Sequence, residues 1–227
     1  KVMFKEKDGT ILVQFPDSEE EVRRKANQYG SIPIPPYVKD EPHELESYQT
    51  VYAKPEGSVA APTAGVHFTP ELIEILKQKG VVFAEVTLHV GLGTFLPVKS
   101  ERIEDHTMHS EWVEVSNESA EIITAAKKEG RRVIAIGTTT TRTLEGIALL
   151  HQGHITAYRG DINIFITPGF EFNIVDAVIT NFHLPKSTLL MLVSAFARDR
   201  EFVLNCYKNA VEKEYRFYSF GDAMFIY

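Results

Sequence analysis

Val133-Ile134-Ala135-Ile136-Gly137-Thr138-Thr139-Thr140-Thr141-Arg142-Thr143-Leu144-Glu145 is the stretch on which the fold turns. Four apolar residues read as a short buried strand. A glycine and four threonines then lead into a helical pattern from Thr141 to Leu150. A strand that passes through a tight turn into a helix is one unit of a β–α alternation. The alternation extends both ways. Upstream, Thr69-Pro70-Glu71 opens a helix with an N-cap threonine, a proline in the first turn and an acid behind it, and Gly80 closes it. Val81 to Val90 reads as a strand, and Ser116 caps a helix that runs to Gly130. Downstream, Phe165-Ile166 and Val175 to Thr180 read as strands, Ser187 to Ala197 and Arg200 to Lys213 as helices, and Tyr215 to Tyr227 as a strand-like aromatic close. The expected class is α/β, a largely parallel mixed sheet flanked by helices over residues 41–227.

The first residues follow a different pattern. Val2 to Phe15 alternate in two runs around Lys7-Asp8-Gly9-Thr10, a hairpin signal. An isolated hairpin is marginal in water, so residues 1–15 are expected to be the remnant of a small β-barrel-like module. Residues 16–40, with Ile32-Pro33-Ile34-Pro35-Pro36, read as a stiff linker. The chain opens at Lys1 and reads as the later part of a longer protein, with an N-terminal part expected to be absent.

Of 227 residues, 44% are hydrophobic and 24% charged, the balance of an ordinary globular protein. With 24 basic and 31 acidic residues the net charge is −7, which argues against a non-specific nucleic-acid coat and leaves room for a local patch. Arg23-Arg24-Lys25, Lys127-Lys128 with Arg131-Arg132, and Arg198 with Arg200 read singly as solvated helix ends and together as a phosphate track. The single cysteine, Cys206, excludes an intrachain disulfide. No signal-peptide pattern is visible and no apolar run approaches the roughly 20 residues of a membrane span. A cytoplasmic monomer without a membrane partner is expected.

Ligands of open α/β sheets gather beyond the carboxyl ends of the strands, and three such ends carry chemistry here. In Thr87 to Phe95, Gly91 and Gly93 permit close backbone approach beside His89 and Thr94. In Gly137 to Glu145, threonines enter a helix whose free N–H groups favour an anion, and Arg142 can fork onto a carboxylate or phosphate. The alternative there is an Arg142–Glu145 pair. In Thr180 to Thr188, Asn181, His183 and Lys186 crowd a loop held by Pro185. A fourth segment, Ala60 to Thr69, places Thr63, Gly65 and His67 ahead of a helix. Asp105-His106-x-x-His109-Ser110-Glu111, with His67, His89 and His183, raises the question of a divalent metal, but the spacing matches no standard zinc signature and one cysteine excludes a thiolate-rich site.

Taken together these segments resemble the S-adenosylmethionine-dependent tRNA ribosyltransferase-isomerase family of queuosine biosynthesis. The matching strings are Tyr48 to Ala53, Val59 to Thr69, Val86 to Pro97, Ile103 to Trp112, Gly137 to Glu145, Ile164 to Phe170, Val178 to Ala197 and Tyr215 to Met224. Departures are few: Thr140-Thr141 stands where the family commonly has Ser-Val, Glu44 where it has aspartate, Ser47 near a frequent arginine, and Ile162 where a hydroxyl is usual. The resemblance implies transfer and isomerisation of the ribosyl part of S-adenosylmethionine onto 7-aminomethyl-7-deazaguanine at the tRNA wobble position. The product is epoxyqueuosine, with loss of adenine and methionine. S-adenosylmethionine is then a consumed ribosyl donor and no cofactor is expected, the partner being a tRNA anticodon loop. Such chemistry needs a base beside the sulfonium, for which His67, His89 and His183 are candidates. Thr138, Thr139 and Arg142 are expected to cradle the methionine carboxylate, and Glu145 or Asn181 to accept the ribose hydroxyls. Lys186 is expected to neutralise charge at the departing adenine or to meet phosphate, with Thr63, Gly65, Gly91, Gly93 and Thr94 lining the site. Tyr37, Phe95 or Phe182 would stack on the base. Two other readings stay open: a metal-dependent hydrolase built on the histidines, and a non-catalytic small-molecule or tRNA-binding module.

Overall fold

The computed structural model describes residues 1–6, 11–31, 34–35, 38, 48–58, 60–91, 103, 108 and 110–227. The chain divides into two units, Lys1–Ile34 and Pro35–Tyr227.

In the first unit, strands β1 (Val2–Lys5) and β2 (Ile11–Val13) pair antiparallel with Phe4 opposite Leu12. Among the described residues they form a two-stranded sheet and no barrel. Every residue of both strands is exposed, and the Asp8-Gly9 turn lies outside the described residues. Inside the expected linker stands a helix, α1 (Glu19–Tyr29). Ser18 caps it by accepting from the Glu21 N–H, three acids occupy its first turn, and Arg23, Arg24 and Lys25 pair with Glu19, Glu21 and Asp17. Local capping and ion pairs at helical spacing thus form a helix where composition suggested a linker.

The second unit carries two three-stranded sheets. In one, β3 (Val86–His89), β4 (Glu111–Val115) and β6 (Tyr158–Ile162) are antiparallel in the order β3-β4-β6. In the other, β5 (Ile134–Ile136) and β7 (Ala177–Asn181) are parallel, and β8 (Ala223–Ile226) pairs antiparallel with β7. The α/β class stands, but the sheet is not largely parallel: β5–β7 is the one parallel ladder among the described residues. The difference comes from β4 and β6, which the sequence reading passed over. Along β4 the side chains of Glu111, Val113 and Val115 alternate inward at period two, with a carboxylate in an apolar position. Gly160 dilutes the β signal of β6. Phe165-Ile166 form no strand, and Val81 to Glu85 precede β3 without pairing.

Among the described residues there are six α-helices, the other five being α2 (Pro70–Gln78), α3 (Asn117–Lys128), α4 (Thr138–Leu150), α5 (Thr188–Phe196) and α6 (Arg200–Glu212). Helix α4 packs against strands of both sheets. Ile147 and Ala148 of α4 and Val178 of β7 are wholly buried, in a core shared with Val113, Val115, Ile162 and Leu192. The apolar face of α4 therefore holds the two sheets to one core and places its N-terminus at the carboxyl ends of the parallel pair.

Candidate active site

At that point β5 runs into α4 through Gly137, whose φ is +92°. Few residues other than glycine adopt that backbone readily. The Gly137 N–H donates to Ile179 O at 2.8 Å, locking the turn onto β7. No side chain caps α4. The Thr141 hydroxyl donates to Gly137 O at 3.1 Å and the Thr143 hydroxyl to Thr139 O at 3.0 Å, so these two threonines are spent inside the helix. Thr138 and Thr139 remain at its first positions, the former buried and the latter half-buried. The amides of this uncapped 13-residue helix face outward with the positive end of its dipole.

A short 3-10 turn, Thr63–His67, lies against this helix start. A Cβ on Gly137 would touch Ala64 at 3.8 Å. The turn carries His67 to Asn181, the last residue of β7, with Asn181 Nδ2 3.3 Å from His67 Nε2. Asn181 also donates to Tyr218 O at 3.0 Å, and its Oδ1 is buried without a partner. Burial lowers the His67 pKa. Asp222 opposes that shift and Arg216 adds to it, these two being paired at 2.8 Å. Two residues beyond Asn181, the His183 Nε2 stands 3.0 Å from Thr180 Oγ1, and its backbone N–H donates to the Tyr207 hydroxyl at 3.1 Å. Burial pushes the His183 ring down to about 4 and the Tyr207 phenol up to about 12. Thus the structure sets two pairs, His67 with Asn181 and Thr180 with His183, at the end of β7, beside Thr63, Thr138 and Thr139. Thr63 opens the 3-10 turn and is half-buried. Lys186 is exposed, on a turn with φ +56°.

The other sheet presents a second set. The Arg142 Nη1 meets Glu111 Oε2 at 2.5 Å and its Nε donates to Ile164 O at 3.4 Å, while Nη2 is buried without a partner. Arg142 therefore neither pairs with Glu145 nor offers a free fork: Glu111 and Ile164 already hold the guanidinium, and one N–H group is left over. His89 ends β3 opposite Trp112, with the rings 4.8 Å apart. Its Nδ1 is also buried without a partner. Glu111 precedes Trp112, so Arg142 and His89 belong to the same end of this sheet. No contact in the structure joins His89 to His67 or His183, so the three histidines do not form one base cluster.

Two expectations are corrected outright. Glu145 is wholly buried and accepts from the backbone N–H groups of Asn173, Ile174 and Val175 at 2.8, 3.0 and 2.8 Å. Its carboxylate holds the entry into β7 and, wholly enclosed, is committed to the backbone rather than open to a ribose. Gly65 is small because Tyr52 is there: a Cβ would lie 2.1 Å from the Tyr52 hydroxyl, so its space is taken by the protein. Phe182 is likewise core, packed against Tyr207, Tyr215 and Phe217. By contrast a Cβ on Gly91 would meet nothing within 4 Å. Gly93, Thr94, Phe95, Tyr37, Asp105, His106 and His109 lie outside the described residues. Among the described residues no three His, Cys, Asp or Glu side chains gather to hold a metal ion, and no helix is long and apolar enough to cross a membrane. Lys127 pairs with Asp176, Arg131 with Glu129 and Arg200 with Glu201, which uses up much of the expected phosphate track. A cavity of about 370 Å³ between α3 and residues 155–157 is lined by Glu121, Lys128 and Thr156 and touches none of these groups.

Tyr207, Arg216 and Asp222 stand outside the residues expected at the site, and Glu111 is expected there only as the end of the histidine motif raised for a metal. Only Glu111 left a local signal, a carboxylate in phase with Val113 and Val115 on one face of a strand.

The chain as a whole is similar to known proteins. A protein named S-adenosylmethionine:tRNA ribosyltransferase-isomerase from Carboxydothermus hydrogenoformans is 61% identical over 200 residues, which are 88% of this chain and 58% of that protein. The one of the same name from Thermotoga maritima is 56% identical over 219 residues, 96% of this chain and 63% of that protein. The chain thus spans about three fifths of the length of these relatives. A crystal structure of S-adenosylmethionine tRNA ribosyltransferase from Thermotoga maritima superposes with a TM-score of 0.61 at 50% identity, covering 73% of this chain and 51% of that one. A family model described as queuosine biosynthesis protein matches residues 1–226, and the chain belongs to that family.

Proposed function

We propose that the protein of which this chain is part transfers the ribosyl group of S-adenosylmethionine to 7-aminomethyl-7-deazaguanine in the anticodon loop of a tRNA. Rearrangement gives epoxyqueuosine, and adenine and methionine leave. The observation that carries this is the 61% identity to a relative of that name across 88% of the chain. The geometry supports it in three places. The uncapped N-terminus of α4, with Thr138 and Thr139, is suited to an anionic group such as the methionine carboxylate. The Arg142 Nη2 is a buried donor still to be satisfied, and a charged acceptor would satisfy it best. Burial favours the neutral imidazole at His67 and His183, and with His89 these rings are the candidates for proton handling, while Asn181 Oδ1 can accept from a ribose hydroxyl. Lys186, exposed beside His183, is placed to meet phosphate, and Gly91 leaves room for close backbone approach. S-adenosylmethionine is consumed as donor, no cofactor is assigned, and the protein acts as a cytoplasmic monomer.

The test uses S-adenosylmethionine labelled in the ribose and tRNA carrying the 7-aminomethyl base. Label should appear in the digested tRNA with release of adenine and methionine, with a full-length relative run alongside. No label from this chain or the relative, both folded and on a verified tRNA, refutes the assignment. A drop below about tenfold on replacing His67, His89 and His183 one at a time by alanine removes the histidines from proton transfer.

A further inference from the structure

The Asn181 carboxamide has one orientation that satisfies its surroundings. Tyr218 O at 3.0 Å and Gly221 O at 3.5 Å are carbonyl oxygens, which only accept. The amide nitrogen must therefore face them, and the oxygen must point elsewhere. The same nitrogen lies 3.3 Å from His67 Nε2. A second N–H of that group, pointed at the ring, requires a lone pair on Nε2. A neutral imidazole with its lone pair on Nε2 carries its proton on Nδ1. Asn181 is 3% exposed, so water does not compete freely for this contact. The charged groups facing the ring are Asp222 and Arg216, both from the segment after α6; burial, with Arg216 acting in the same direction, outweighs Asp222 and favours the neutral imidazole. Meanwhile Asn181 Oδ1 is buried with no partner, an unmet acceptor on the same side chain.

We infer that Asn181 is a positioning residue that fixes His67 in the Nδ1–H form, so that His67 acts as a hydrogen-bond donor to a ligand acceptor atom and not as the base. The ligand's identity rests on the function proposed above: for a purine-bearing donor, the acceptor is a ring nitrogen of the departing base. Proton removal then falls to His89 or His183.

The tautomer is read directly by long-range ¹H–¹⁵N correlation on the ¹⁵N-histidine-labelled chain near pH 7.5. The His67 ring is assigned by its loss in His67→Ala. The expected pattern is a protonated Nδ1 and a bare Nε2. In Asn181→Asp the carboxylate can only accept, so the proton should move to Nε2 and the His67 titration midpoint should rise by about one pH unit, a tenfold gain in proton affinity. An Nε2–H ring in the unmodified chain overturns the inference. So does an unchanged tautomer in Asn181→Asp with the rest of the spectrum superimposable. The measurement on the unmodified chain decides the matter even if the variant does not fold. Neither readout uses tRNA or S-adenosylmethionine, so failure of ribosyl transfer and failure of this inference are separate results.

Discussion

Replacing Glu145 separates a structural carboxylate from a ribose acceptor. Its oxygens accept three backbone N–H groups, from Asn173, Ile174 and Val175, at the turn that feeds β7. In Glu145→Gln the side-chain oxygen can stay on Ile174 and Val175, which are buried, while the amide nitrogen turns towards Asn173, which is exposed and can find water. One charge-assisted bond is lost and two become neutral, a cost of about 1–2 kcal/mol. At roughly 2–4 °C per kcal/mol for a chain of this size, the melting temperature should fall by about 2–8 °C. Glu145→Ala leaves the Ile174 and Val175 N–H groups buried and unpaired. At about 1–3 kcal/mol each the loss approaches the whole stability of a marginal domain, and little folded protein is expected. Thermal and urea unfolding followed by circular dichroism measure both. If Glu145→Gln melts within a degree of the parent yet loses S-adenosylmethionine binding, the carboxylate serves the ligand and the structural reasoning fails.

Three further outcomes are expected. Glu111→Gln removes the charge that faces the buried Arg142 guanidinium and should cost about 3–5 kcal/mol, read as a fall in the urea midpoint, with an unchanged midpoint counting against a tight pair. Because His183 is held near 4 when folded and titrates near 6.5 when unfolded, the unfolded chain binds the extra proton between those values. The contribution of His183 is therefore complete above pH 6.5 and is lost as pH falls towards 4. The shift would carry about 3 kcal/mol if the residue were sealed, but part of its surface is open to water, so about 1–2 kcal/mol is expected, and His183→Gln should flatten that part of the stability–pH curve. Gly65→Ala drives a methyl into the Tyr52 hydroxyl and should cost about 1–3 kcal/mol, with partial recovery in the Gly65→Ala, Tyr52→Phe double variant. Full tolerance of Gly65→Ala by unfolding assay would show that Tyr52 yields.

The helices were legible because their signals are local. Thr69, Ser116 and Ser187 are caps whose side chains accept from the third residue onward, and capping preferences hold wherever the chain goes afterwards. Helix α1 carried the same signal at Ser18 but was hidden by its lack of apolar residues, since no residue of α1 is buried. Strands depend on partners far along the chain. β4 is identified by its pairing with β3 and β6, and its buried glutamate makes sense only beside an arginine 31 residues later. The direction of pairing is a property of two segments and the path between them, which explains why an alternation of β and α was read as parallel where the ladders are mostly antiparallel.

For the candidate site, residue types were legible and their partners were not. A histidine, an asparagine and a threonine-rich helix entry were each visible as polar groups at strand ends. The sequence offers no way to know that a carboxylate is enclosed against three backbone amides, as Glu145 is, or that an arginine on a helix is held by a glutamate on a strand and keeps one donor spare, as Arg142 does. Those facts decide chemistry. An enclosed carboxylate held by backbone amides is structure, and an unsatisfied buried donor or acceptor is an unmet demand that the fold tolerates for a reason. Among the described residues the unmet demands are the His89 Nδ1, the Arg142 Nη2, the Asn181 Oδ1 and the Thr156 Oγ1. The first three belong to residues the sequence had singled out, at the carboxyl end of β7 and at the end of the sheet that α4 joins to it. Polar groups left unpaired at these strand ends, on either side of one helix that packs on both sheets, are better evidence for a ligand than any of the residue types alone.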